Sequence, residues 1–94
     1  MRFEWDIEKE RINRAKHGFG FEIGEEVFAD PLLTSKPDAF YNGEERWKTL
    51  GLVQEAVVFM VVHTYTELED DVLIRIISVR KATRHERREY ERGA

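Results

Sequence analysis

Two stretches, Ala56–Thr64 and Val72–Arg80, set the terms for any fold of this chain, because both carry apolar or β-branched residues at both parities. A strand with one wet face alternates polar and apolar residues, whereas a strand apolar at both parities must be covered on both sides. The two stretches are therefore expected side by side at the centre of a sheet, with helices on one face and a further layer on the other. Turn residues at Lys36–Asp38, Asn42-Gly43, Gln54-Glu55 and Glu67–Asp71 divide the chain around them. The strands then read Leu32–Ser35, Glu45–Val53, Ala56–Thr64 and Val72–Arg80, and such short connections favour an antiparallel meander.

The N-terminal third has helical punctuation instead. Phe3–Asp6 reads as a short first strand, and Asp6 can cap a helix whose apolar positions Ile7, Ile12 and Ala15 are spaced for one buried stripe. His17-Gly18 is a stop signal, since glycine accepts the left-handed conformation that ends a helix. A second helix is expected over Phe21–Phe28, with Ile23 and Val27 on one face and Asp30-Pro31 as terminator. Near the other end, Thr83 and Glu86 spell a capping box, so a third helix should span Arg84–Arg92. Apart from Tyr90 it is polar all round, the pattern of a helix weakly held or waiting for a partner. The fold class is α+β: two N-terminal helices on an antiparallel sheet of four to five strands, with a short C-terminal helix.

The 94 residues, 41% of them hydrophobic, support one core, so residues 1–94 are read as a single domain. No apolar run has the roughly 20 residues of a membrane helix, and Met1-Arg2-Phe3-Glu4 does not begin a signal peptide, which together point to the cytoplasm. The absence of cysteine excludes disulfides and thiol chemistry, and three scattered histidines argue against a metal site or other cofactor. A net charge of −4 hides an asymmetry. Residues 1–71 hold 8 Lys or Arg against 16 Asp or Glu, a balance of −8, while residues 72–94 hold 7 against 3, a balance of +4. Such a basic end suits contact with a polyanion, although basic tails without that role are common.

The chemistry-bearing candidates cluster there. Arg75 sits in an apolar strand, on the parity of Leu73, Ile77 and Val79, so it needs a partner: either an internal bridge to Glu22 or Glu26, or a phosphate. Arg80 and Lys81 follow, then Arg84, Arg87 and Arg88 on the last helix, where a phosphate-binding patch and plain helix-dipole complementarity are both open. His17, His63 and His85 can each move a proton near neutrality, but none stands in a diagnostic motif.

Three stretches in order carry a resemblance: Phe3-Glu4-Trp5-Asp6 with Lys9, Asn13 and Lys16-His17-Gly18; Gly43-Glu44-Glu45-Arg46; and Arg75 through Ala82. With Phe21-Glu22, Val27-Phe28 and Asp30-Pro31 between them, the chain resembles the BrnT family over Phe3–Tyr90. It departs from the family pattern at Val79, where alanine is common, and in the acidic loop Glu67–Asp71, which replaces a shorter, more basic hairpin. The resemblance implies a RelE-like fold and a toxin of a type II toxin-antitoxin system, a metal-independent endoribonuclease that inhibits translation. It implies a hetero-oligomer with a BrnA-like ribbon-helix-helix antitoxin, through which alone the toxin would meet DNA. It also assigns Arg75 and Arg80 to phosphate or transition-state stabilisation, Lys81 to RNA binding, and His17, Glu44 or Tyr90 to proton transfer, while the basic cluster adds Arg84, Arg87 and Arg88 as RNA-binding candidates. The alternative is a catalytically inactive module that binds the antitoxin or RNA. From position alone, losing Arg75 should cost stability, whereas Arg80, at the strand end, should be dispensable to the fold.

Overall fold

A computed structural model describes residues 1–93 of the chain. The elements run β1 (Arg2–Glu4), α1 (Ile7–His17), α2 (Glu22–Phe28), β2 (Thr34–Tyr41), β3 (Glu44–Val53), β4 (Val57–Glu67), β5 (Val72–Lys81) and α3 (Arg84–Arg92). The five strands form one sheet in the order β1-β5-β4-β3-β2. The two doubly apolar strands, β4 and β5, are neighbours with a strand on each outer side, as their composition requires. Helices α1 and α2 pack on one face and α3 on the other.

The sheet is mixed, not antiparallel throughout, because β1 pairs with β5 in parallel through Arg2–Leu73, Phe3–Ile74 and Glu4–Arg75. No local turn fixes the direction of this pairing, since its partners lie at opposite ends of the chain. Strand β2 also differs from expectation. Lys36–Asp38 is not a turn but part of a longer strand, with a register shift between Pro37 and Ala39. The other turns come where the sequence places them: Asn42 and Gly43, between paired Tyr41 and Glu44, both take positive φ (48° and 78°), the geometry of a two-residue hairpin whose twist matches its strands.

The larger core lies under α1 and α2 and contains Phe21, Val27, Val53, Phe59, Val61, Ile74, Ile76 and Val79. Close approach of α2 to the sheet depends on Gly51, where a Cβ would stand 2.7 Å from the Val27 carbonyl oxygen. Helix α1 begins and ends as read, with the Asp6 carboxylate accepting from the Glu8 and Lys9 amides and Gly18 left-handed at the C-cap. Its apolar stripe does not form: Ile7 and Ile12 are 79% and 53% exposed. The buried residue of α1 is Asn13. Its amide donates to the Val79 carbonyl at 2.9 Å and the Phe19 carbonyl at 3.1 Å, while its oxygen accepts from the Val79 amide at 3.1 Å. Beyond Arg75, where β1 no longer accompanies β5, Asn13 thus takes the place of an adjoining strand.

Strand β5 carries a further irregularity. Ser78 pairs with Val62 and Ile76 with His63, so Ile77 is an extra residue, a bulge. Parity reverses across it. Ile74, Ile76 and Val79 all belong to the large core, whereas Arg75 and Arg80, opposite Thr64 and Met60, lie on the α3 side of the sheet. The expectation that Arg75 shares a face with Ile77 and Val79 fails for this reason.

Candidate nucleic-acid interface

The strand registers define what lies on the α3 side of the sheet. Arg80 pairs with Met60 and Arg75 with Thr64 on β5 and β4. Leu50 and Lys48 of β3 stand opposite Met60 and Val62, and Lys36 of β2 opposite Lys48. One step past the last β3–β4 pair, Arg46 comes opposite Thr64. The face therefore presents Lys36, Arg46, Lys48, Arg75 and Arg80 from three strands, β2, β3 and β5. Sequence reading missed Lys36, Arg46 and Lys48; the signal was there in the two-residue period of Arg46 and Lys48, but it needed the hairpin register.

Helix α3 closes one end of this face over a small second core of Leu50, Val58, Met60 and Ala82, against which Tyr90 packs. Its polar composition does not leave it unheld. Thr83 and Glu86 form the expected capping box, and the same Glu86 carboxylate receives both Arg80 terminal nitrogens, at 2.8 and 3.0 Å. Burial by itself would raise the Glu86 carboxyl, but the Arg80 hydrogen bonds, the Thr83 amide and the Arg80 and Lys48 charges bring it down to about 2. Because that lies below the unfolded value, Glu86 stabilises the fold fully above about pH 4.5 and loses its contribution as pH falls toward about 2. The loss, about 2 kcal/mol after allowance for solvent screening, should appear in urea unfolding between pH 5 and pH 2.5. Glu86→Gln should flatten that fall in stability, and an unchanged slope in the variant would contradict the assignment.

Arg75 is the reverse case. It is exposed, and among the described residues it forms no ion pair. The bridges expected for it do not exist: Glu22 lies 3.5 Å from Arg14, and Glu26 accepts from Gln54 at 3.4 Å. The bulge explains this, because it leaves Arg75 on the face opposite α2.

The remaining candidates scatter. Lys81 faces the α1 side, its ammonium 5.7 Å from the Phe19 ring centroid. Arg84 and Arg88 project from α3 away from the sheet, and Arg87 lies beside Lys81, Tyr90 and Glu91 on the flank of the helix. The basic cluster in sequence is therefore not one surface. Tyr90 donates its hydroxyl to Asp30, whose carboxylate also accepts from the Leu52 amide. Burial and the Asp30 carboxylate push the phenol up to about 12, which ill suits proton transfer near neutrality. His17 is half-buried at the end of α1, its pKa lowered by burial and by the Lys16 and Arg80 charges. His63 is buried, lowered by desolvation, and hydrogen-bonded to Thr49 at 2.7 Å and the Thr64 carbonyl at 2.9 Å. Glu44 is roughly 20 Å along β3 from the Leu50–Met60–Arg80 row, at 3.3 Å per residue, but borders a cleft with Thr64 and Thr66 beside Arg75.

A cavity of about 220 Å³ separates α3 from the sheet, bordered by Lys36, Lys48, Thr83, His85, Glu86 and Glu89. Its charges are already matched: Lys36 to Glu89 at 2.7 Å and His85 to Glu89 at 3.3 Å. Among the described residues, no three His, Cys, Asp or Glu gather as metal ligands.

The small mixed-sheet domain, with Arg75 exposed on a face where Lys36, Lys48 and Arg80 are paired with carboxylates, is the setting for the comparisons with known proteins. The family model described as "Ribonuclease toxin, BrnT, of type II toxin-antitoxin system" matches residues 5–86. The class is that of the ribonuclease toxins of type II toxin-antitoxin systems, whose members have an antitoxin partner. Within it, the chain belongs to the BrnT toxin family. The crystal structure of the Brucella abortus ribonuclease toxin BrnT is similar in fold, with a TM-score of 0.62 and 23% identity over 89% of this chain and 99% of that one. No curated protein matches the sequence.

Proposed function

We propose that this chain is a RelE-like endoribonuclease toxin that cleaves RNA without a metal ion, inhibits translation in the cytoplasm, and is neutralised by a BrnA-like ribbon-helix-helix antitoxin. The observation that carries this reading is Arg75 on the α3 face, exposed, without a carboxylate partner among the described residues, and across Thr64 from Arg46. In metal-independent cleavage the ribose 2′-hydroxyl attacks the adjacent phosphate, and the protein must offset the charge that builds on the phosphate oxygens. An exposed guanidinium supplies that charge with two parallel donors. Glu44, which borders a cleft with Thr64 at the same end, is our first proton-transfer candidate, ahead of His17 and Tyr90. Arg80 serves mainly to hold α3 through Glu86.

Arg75→Ala is expected to abolish growth arrest while shifting stability by no more than about 0.5 kcal/mol, as for an exposed position without fixed partners. Growth arrest at parental strength from Arg75→Ala at equal protein level would remove Arg75 from the mechanism. The second reading, a binding module without catalysis, draws on the commitment of Arg80 to Glu86 and of Tyr90 to Asp30. Incubating the purified chain with labelled RNA and a chelator separates the two, since only the enzyme yields fragments.

A further inference from the structure

At the hairpin end of the open face, Tyr41 of β2 pairs with Glu44 and Ala39 with Arg46. The Arg46 guanidinium lies over the Tyr41 ring, 4.5 Å from its centroid. Tyr41 is 55% exposed. The Arg46 Nε is buried and has no hydrogen-bond partner among the described residues, whereas Arg11, Arg14 and Arg80 are each matched to a carboxylate. A buried donor without an acceptor is a standing cost to the fold, and in a native protein it calls for a specific reason, a functional role among them. With strands about 4.8 Å apart, Arg46 and Arg75 flank Thr64 at roughly 10 Å between their backbones. Two guanidinium side chains can converge on one phosphate across that gap.

We propose that Tyr41 and Arg46 form a subsite for one nucleotide of single-stranded RNA. The base stacks on the Tyr41–Arg46 pair, and the adjoining phosphate lies between Arg46 and Arg75. A guanidinium held flat against an aromatic ring is a stacking platform that any base can use, and single strands are required because a duplex hides its base faces. The subsite rests on the ribonuclease reading above, but assigns to Arg46 and Tyr41 the holding of substrate, not its cleavage.

The test is fluorescence anisotropy with a labelled 2′-O-methyl RNA octamer, which has no free 2′-hydroxyl to attack, alongside cleavage kinetics on unmodified RNA. Tyr41→Leu and Arg46→Lys should each weaken binding about tenfold, raising KM with kcat largely kept and the melting temperature unchanged. Arg46→Ala should also lower the slope of log affinity against log salt by about one, whereas Arg46→Lys should retain it. If Arg46→Ala fails to fold, exposed Tyr41→Leu carries the test. Parental affinity and KM in both Tyr41→Leu and Arg46→Lys would overturn the subsite and leave the ribonuclease reading standing. A parent chain that is folded but neither binds nor cleaves RNA would sink both, and is recognised because the parent itself fails.

Discussion

Replacing Arg80 with alanine is expected to lower the melting temperature by roughly 10–20 °C. The guanidinium is the partner of a buried carboxylate on α3 and is fixed by two hydrogen bonds of 2.8 and 3.0 Å. Removing it leaves Glu86 desolvated and unpaired, which costs about 2–4 kcal/mol for a group at this depth, and in a domain of this size each kcal/mol is worth about 4–8 °C. The double variant Arg80→Met, Glu86→Leu should recover more than half of the loss, because an apolar pair of similar volume requires no ion pairing. Calorimetry of the three proteins decides the matter. A melting point for Arg80→Ala within about 2 °C of the parent would mean that the clasp does not hold α3. Growth arrest by the stabilised double variant would show further that Arg80 is not needed for toxicity.

Asn13→Ala should be comparably damaging, at about 2–4 kcal/mol. One side chain satisfies both the amide and the carbonyl of Val79, a residue with no exposed surface, and also accepts from the Ser78 hydroxyl at 3.3 Å. Alanine leaves two buried backbone groups without partners and no room guaranteed for water. Asn13→Asp should not rescue, since it retains the acceptor but loses the donor and adds a buried charge. Hydrogen exchange at the Val79 amide provides the direct check: protection unchanged in Asn13→Ala would refute the edge-sealing role.

The features legible in the sequence were those written in a few adjacent residues. The Asp6 cap, the Gly18 stop, the Thr83–Glu86 capping box and the Asn42-Gly43 turn are local chemistry and stand where they were read. The central pair β4 and β5 was equally legible, because a strand apolar at both parities has few places to go. Three things were not. The parallel pairing of β1 joins segments with no local signal between them. The burial of Asn13 in place of Ile7 and Ile12 follows from the unpaired edge of β5, which exists only once the sheet is assembled. The bulge at Ile77 leaves no trace in a run of branched apolar residues, and without it the surroundings of Arg75 and Arg80 were interchanged: the strand-end arginine is clasped and the mid-strand arginine is open. The candidate site was therefore legible in residue type, as a concentration of arginine, but not in membership. Lys36, Arg46 and Lys48 join Arg75 through register, while Lys81, Arg84 and Arg88 leave through orientation.

The bulge also bears on how this chain can change over generations. Ile77 contributes a count as much as a side chain, so exchanging it for another branched residue alters packing by a methyl or so, whereas deleting it re-aims everything from Ser78 onward. A one-residue deletion would carry Val79 out of the large core and Arg80 toward α1, parting the carboxylate on α3 from its cation. Drift by substitution is thus open to this strand, but drift in length is closed.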